Sequence, residues 1–122
     1  MPRYMISFND GDMQFPEEDF KAVGEAAHQV MEEGVAQGIW EGGGGFLGFY
    51  PFVVDELGNV DARPLAETNK HIGGFTVVNV KNDHEAFMWA EKIAKACRCP
   101  QEVRRIMDDP IGEEIYKKYS RD

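Results

Sequence analysis

The sequence is short of positive charge, and this shortage argues against two classes of partner. Lysine and arginine total 13 against 22 aspartates and glutamates, so the net charge is −9. Nucleic-acid binding depends on a basic face that neutralises phosphates, and an anionic membrane surface attracts the same sign of charge. We therefore expect neither a nucleic acid nor a membrane as a partner of this chain.

Long apolar runs and a cysteine framework are also missing. No stretch approaches the roughly 20 apolar residues that span a bilayer. The short apolar run at the N-terminus ends at Asn9 and Asp10, which is not the pattern of a signal peptide. The two cysteines, Cys97 and Cys99, are so close in sequence that a disulfide between them is strained. We therefore expect reduced thiols in a cytoplasmic protein, and the scattered histidines predict no metal site.

Apolar periodicity predicts alternating strands and helices in a chain whose 122 residues suit one domain. We expect a strand, a helix opened by Pro16, a hairpin with its turn at Gly58 and Asn59, a strand, a helix capped by Asn82, and a strand. A tail helix follows. The predicted apolar stripes are Phe20, Val23, Ala27, Val30 and Met31 in the first helix, and Phe87, Ala90, Ala94 and Cys97, widened by Ala86, Trp89 and Ile93, in the second. This order is a split β-α-β arrangement of the α+β class, a ferredoxin-like fold with an antiparallel sheet.

The strand predicted over residues 73–80 is apolar on both faces. Phe75 and Val77 share one face with Asn79, while Val78 and Val80 lie on the other. Two helices on one face of a four-stranded sheet leave the other face bare, and apolar side chains on that face need a second cover. A homodimer that stacks one sheet on the sheet of its twin supplies that cover.

Four blocks of sequence together resemble one family. They are "RYMISF" at 3–8, "GIWEGGGGF" at 38–46, "PLAETNKHIGGFTVVNVKNDHEAFMWAEKIAKA" at 64–96 and "EVRRIM" at 102–107. In this order and spacing they resemble the YCII-related family, in the branch named for a DGPF motif. The resemblance assigns residues 1–107 to one such domain and leaves residues 108–122 as a helical extension.

The resemblance implies a dimeric α+β barrel with a cleft between sheet and helix for a small organic molecule. Family members with known chemistry are lyase-like or dehydrohalogenase-like enzymes that use no redox cofactor, so we expect no cofactor here. Two departures weaken any transfer of mechanism. The family's Asp-Gly-Pro-Phe falls on residues 62–65, where only Pro64 is kept, and the family's helical histidine falls on Ala27. His28 is its neighbour, roughly 100° further round the helix.

The polar stretch 61–75 is the first candidate for a working site. On one interpretation its side chains lie at the mouth of the barrel, where Arg63 grips a carboxylate through two hydrogen bonds and Glu67 or His71 moves a proton. On the other interpretation these residues form a polar loop that bonds its own backbone. The candidate ligand-binding residues are Trp40, Arg63, Glu67, Thr68 and Lys70.

The candidate catalytic residues are His28, Asp61 and His71. A histidine titrates near neutral pH, so His28 suits a general base if a carboxylate such as Asp61 orients it. The alternative is a half-buried structural histidine that is satisfied by hydrogen bonds. Trp40 and the aromatic residues after it either line an apolar pocket or belong to the core and the dimer interface.

Two functions therefore stay open at the level of sequence. One is a homodimeric barrel that binds a small anionic or aromatic molecule, with acid–base chemistry of the lyase or isomerase kind. The other is a non-catalytic binding or assembly module, whose dimer face is the functional surface. A polar-lined cavity with a histidine and a carboxylate in hydrogen-bond reach favours chemistry, and a filled barrel interior favours assembly.

Overall fold

The computed structural model describes residues 1–47, 51–61 and 71–120. Within these ranges the chain is an α+β protein with six strands and three α-helices. In chain order the elements are β1 (Arg3–Asn9), α1 (Phe20–Ala36), β2 (Trp40–Gly45), β3 (Val53–Val54), β4 (Val60–Asp61), β5 (Ile72–Asn79), α2 (Asp83–Cys97), β6 (Glu102–Arg105) and α3 (Pro110–Tyr119). A short 3₁₀ turn, Glu17–Asp19, leads into α1.

Four strands form one antiparallel sheet in the order β2-β5-β1-β6. With α1 after β1 and α2 after β5, this sheet is compatible with the predicted ferredoxin-like fold. Strands β3 and β4 form a separate hairpin between β2 and β5. The Asp55 carboxylate accepts hydrogen bonds from the backbone N–H groups of Leu57 and Asn59 and from the Asn59 side chain, and these bonds hold the predicted turn.

The core lies between the sheet and helices α1 and α2. Tyr4 and Ile6 of β1 and Val78 of β5 are almost wholly buried, and Tyr4 lies directly opposite Val78. Their alternation along the strands places every second side chain against the helices. The predicted division of β5 into two faces is confirmed, because Val78 and Val80 enter this core.

The apolar stripe of α2 differs from the predicted one at two positions, Phe87 and the half-buried Ala94. Its buried members are Ala86, Trp89, Ala90, Ile93 and Cys97. Phe87 is 55% exposed, because its neighbour Ala86 defines the stripe and the next residue points about 100° away. The stripe of α1 is also narrower than predicted. Val23 is buried, but Phe20 and Met31 lie at the margin and are exposed.

The predicted cap of α2 is confirmed, with one difference in detail. The Asn82 side chain accepts a hydrogen bond of 3.0 Å from the backbone N–H of Glu85. The Glu85 carboxylate returns to the N–H of Lys81, at 3.2 Å, rather than to that of Asn82. Two backbone N–H groups at the start of α2 are thus satisfied, as in a capping box. The second belongs to Lys81, one residue before the N-cap Asn82.

The second face of the sheet carries no cover from α1 or α2. Met5, Phe75 and Val77 lie on it and are half-buried, and Met5 is directly opposite Val77. At one end, Glu41 accepts hydrogen bonds from Arg3 at 2.8 Å and from Asn79 at 3.0 Å. We call the surface formed by Met5, Phe75 and Val77 the open sheet face.

Helix α3 begins at a built cap but contributes nothing to the core. The Asp109 side chain accepts a 3.0 Å hydrogen bond from the N–H of Gly112, and Pro110 occupies the first turn. No residue of α3 is buried. None of the helices in the described ranges is both long and apolar enough to cross a membrane.

Candidate functional site

A cleft of about 280 Å³ opens between the helix-covered face of the sheet and helices α1 and α2. Each of these elements contributes side chains to its wall. The lining residues include Ile6 and Phe8 of β1, Ala27, His28, Val30 and Met31 of α1, Trp40 of β2, Thr76 of β5, and Ile93, Ala96 and Cys97 of α2, with Met13 and Gln101 at the ends. Most of this surface is apolar.

Glycines of β2 leave room for the cleft. Gly43 and Gly45 line it, and Gly43 lies directly opposite Thr76. Gly43 has φ of +129°, and a Cβ on it would lie 2.1 Å from the carbonyl oxygen of Phe75. Only glycine fits so close to a neighbouring strand in that conformation. Of the four-glycine run, Gly43 is therefore a structural requirement of the cleft wall, whereas a Cβ on Gly44 would meet no heavy atom within 4 Å.

Trp40 forms one wall of the cleft, as expected if it lines an apolar pocket. It is half-buried and packs against the core. A Cβ on Gly34 of α1 would lie 2.8 Å from its ring, so α1 approaches β2 closely at this point. Two described aromatic residues after Trp40, Phe46 and Phe52, do not share its position, and Phe49 and Tyr50 lie outside the described residues. Phe46 stacks on Phe75, with 5.8 Å between ring centroids, and Phe52 is exposed in the hairpin.

The buried polar groups of the cleft are few and largely satisfied. The Thr76 hydroxyl donates a 2.7 Å hydrogen bond to the carbonyl of Gly42. The Gln101 amide donates to the carbonyl and the Sγ of Cys99, at 3.4 Å each. Burial raises the pKa of the Cys97 thiol, so this group stays protonated at neutral pH. Among the described lining residues there is no lysine, arginine, aspartate or glutamate.

His28 is the one histidine among the described lining residues. It lies on α1 beside Ala27 and is exposed rather than half-buried. Within residues 1–47, 51–61 and 71–120 its side chain makes no hydrogen bond or ion pair. The alternative of a structural histidine held by hydrogen bonds is therefore not what this part of the chain shows. An exposed imidazole at the rim of an apolar cleft can accept or donate a proton to a bound molecule.

Asp61 and His71 occupy other places. Asp61 pairs with Val53 in the hairpin. His71 precedes β5, and its carbonyl accepts a 2.8 Å hydrogen bond from the N–H of Asp10. Its Nε2 atom is buried and has no hydrogen-bond partner among the described residues. Neither residue lines the cleft, so of the three candidate catalytic residues the cleft contains His28 alone.

The other candidate ligand-binding residues lie outside the described ranges. They are Arg63, Glu67, Thr68 and Lys70. Of the predicted site, the described structure thus brings together His28 and Trp40. Sequence reasoning did not find Thr76, Ala96 or Gln101 as lining residues. Their signal was weak, because a lone threonine or alanine in an apolar run is ordinary in a core.

The cysteines are both free and buried. Burial, followed by the neighbouring Cys97 and Asp12, raises the pKa of Cys99 to about 11. A thiol is a nucleophile and metal ligand only as the thiolate, so neither cysteine is activated in this environment. Across the described ranges, no three histidine, cysteine or acidic side chains are grouped so that they could hold a metal ion.

Comparison with known proteins adds no family to this description. No family model matches the chain, and no curated protein matches it. The fold defines a class, an α+β protein with an antiparallel sheet and a cleft under its helices. The YCII-related resemblance rests on the four sequence blocks alone.

Proposed function

We propose that this chain binds a small aromatic or otherwise largely apolar organic molecule in the cleft between Trp40 and His28. The observation that carries the proposal is the apolar lining of a cleft of about 280 Å³. Ligand sites are typically concave, mainly apolar and furnished with a few polar groups, and they start at about 300 Å³. A cleft at the lower end of that range suits a single-ring compound.

An aromatic ligand fits the described lining better than an anionic one. A carboxylate that leaves water needs a paired cation or several donors. No lysine or arginine is among the described lining residues, and the net charge of −9 repels anions at long range. Binding of an anion would depend on Arg63 or Lys70, which follow the hairpin.

The family resemblance adds acid–base chemistry of the lyase or isomerase kind to this proposal, with His28 as the proton carrier, although the described lining supplies no carboxylate to orient it. The family resemblance places an equivalent histidine one residue earlier, so His28 would serve the same cleft from a different angle. Removal of a proton next to an electron-withdrawing group of a bound ring requires only a base within hydrogen-bond reach. The resemblance implies no redox cofactor for this chemistry.

Binding is tested by thermal unfolding in the presence of phenols, benzoates and related single-ring compounds. A ligand at 100 times its dissociation constant stabilises the native state by about 2.7 kcal/mol. We expect Ala27→Leu to abolish the shift, because the larger side chain fills the cleft. Ala36→Leu is the matched control, since Ala36 is exposed on the same helix. Equal ligand binding by the two variants would contradict the proposed site.

We also propose that a second copy of the chain covers the open sheet face, which would complete a dimeric α+β barrel. Met5, Phe75 and Val77 support this proposal, because they form an apolar surface on a face that neither α1 nor α2 covers. If the cleft binds no small molecule, this face is the functional surface of a non-catalytic assembly module. We expect Val77→Lys to separate the copies, whereas Val35→Lys on α1 leaves the mass in sedimentation equilibrium unchanged. A wild-type chain that sediments as a monomer would refute this proposal.

A further inference from the structure

Helix α3 carries an apolar stripe that its own chain leaves exposed. Ile111, Ile115 and Tyr119 recur every fourth residue, so they lie along one side of the helix. They are 73%, 55% and 73% exposed. Gly112, on another side of the helix, is half-buried and lines a small cleft of about 100 Å³ against the N-terminal residues, while Tyr116 at the same cleft is itself 84% exposed.

A helix this short needs packing to be stable. Isolated helices below about 12–15 residues are marginal in water, and α3 has 10 residues, none of them buried. The cap at Asp109 satisfies only its first turn. Contacts beyond those within the chain would therefore stabilise α3, and the exposed stripe is the surface that can make them.

The charges beside the stripe become complementary when two copies of α3 are related by a two-fold axis. Glu114 and Lys118 lie on the same flank of the stripe, with the acidic residue nearer the start of α3 and the basic residue nearer its end. If two copies of α3 lie antiparallel, each Glu114 comes beside Lys118 of the second copy. In a parallel pair this flank would lie beside the other flank of the second copy, so Glu114 and Lys118 would not meet.

We infer that α3 pairs with α3 of a second copy in an antiparallel, two-fold symmetric contact. The axis passes at Ile115, so that Ile115 packs on its own symmetry mate and Ile111 packs on Tyr119 of the second copy. With a rise of about 1.5 Å per residue, Glu114 and Lys118 of the second copy are then offset by about 3 Å along the helices. Long side chains span that offset easily. Such a contact is isologous, as the commonest protein dimers are.

A cysteine placed on the axis tests the geometry. Ile115→Cys is expected to form a disulfide between two chains under mild oxidation, because the two sulfur atoms face each other across the axis. Lys117→Cys, on the opposite side of α3, is the matched control and is expected to remain monomeric on a non-reducing gel. The native Cys97 and Cys99 are buried and do not compete. Equal cross-linking of the two variants would overturn the inferred pairing.

Charge reversal tests the complementarity. Glu114→Lys and Lys118→Glu are each expected to raise the dissociation constant of this contact several-fold, because each places like charges together twice. An equimolar mixture of the two variants is expected to restore association. The helix with two basic residues on this flank then pairs with the helix that has two acidic ones there. Circular dichroism controls for the loss of the helix itself. If the mixture associates no better than either variant alone, the antiparallel model fails.

The sheet-face dimer and the α3 contact are separable by mass. We expect Ile115→Glu to raise the dissociation constant of the α3 contact at least about tenfold, which halves the mass in sedimentation equilibrium. Val35→Glu is the control, because Val35 is 54% exposed, close to the 55% of Ile115, and lies on another helix. With the sheet-face dimer present, the mass falls to that of two copies; without it, the mass falls from two copies to one. An unchanged mass for Ile115→Glu would refute the inference whatever the sheet face does.

Discussion

Gly43 offers the most direct test of how the cleft wall is built. Its φ is +129°, a conformation that residues with a side chain rarely adopt, and a Cβ there would lie 2.1 Å from the carbonyl oxygen of Phe75 and 2.6 Å from the Cα of Thr76. Both atoms belong to the backbone of β5. Replacement by alanine therefore cannot be absorbed by rotation of a flexible side chain, and strands β2 and β5 must separate locally.

The cost of Gly43→Ala follows from two contributions. A residue forced into a sparsely populated backbone region costs roughly 1–3 kcal/mol, and overpacking against a fixed neighbour costs roughly another 1–3 kcal/mol. We expect a loss of about 3 kcal/mol in the free energy of unfolding. Against a typical total of roughly 5–15 kcal/mol, this is a large fraction. For a domain of this size it corresponds to a fall of roughly 10–15 °C in the midpoint of thermal unfolding.

The next residue along the chain supplies the control. Gly44 has an ordinary φ, and a Cβ there would meet no heavy atom within 4 Å. Gly44→Ala should change stability by less than about 0.5 kcal/mol, or raise it slightly by restricting the unfolded chain. Urea unfolding followed by circular dichroism measures both variants. If Gly43→Ala were no less stable than Gly44→Ala, the strand register on which the cleft rests would be wrong.

The remaining predictions concern the cap of α2 and one buried thiol. Asn82→Ala should lower the free energy of unfolding by about 1 kcal/mol, because it removes an N-cap acceptor. Asp109→Ala, at the start of α3, should lower it less, since α3 buries no residue. An equal loss of unfolding free energy for the two variants in urea titrations would contradict this difference. Burial raises the pKa of Cys99 to about 11. Since the native state then holds this proton more tightly than the unfolded state, its contribution to stability is complete below pH 9 and disappears as the pH rises through 11. Cys99→Ala should reduce the loss of unfolding free energy between about pH 9 and about pH 11. If the variant lost stability over this range as steeply as the wild type, the prediction would be wrong.

Much of the core was predictable because the apolar periodicity of each strand and helix indicates which of its faces is buried. The alternation in β1 and β5 correctly separates Tyr4 and Ile6 from Met5, and the spacing of α2 correctly selects Trp89 and Ile93. Predictions failed at the margins of the helical stripes. Phe20 and Phe87 are strongly apolar, yet both are exposed, since hydrophobicity alone does not say how wide the face covered by the sheet will be.

The cleft was much less predictable, and strand register is the reason. A bulge interrupts the pairing between Trp40 and Gly42. Without it, simple alternation would place Gly42 and Gly44 on the side of Trp40, whereas with it Gly43 lies there, opposite Thr76. A shift of one residue moves every side chain of a strand to the other face. No local pattern in a run of four glycines reveals such a shift.

The sequence by itself determined the order of elements, most of the residues that turn inward and the capping of α2. These properties depend on neighbours within a few positions of one another. Only the tertiary structure decided that His28 and Trp40 share a cleft while Asp61 and His71 do not line it, and that α3 leaves its apolar stripe exposed. Those outcomes depend on contacts between segments far apart in the chain, and they arise only when the strands pair in one particular register.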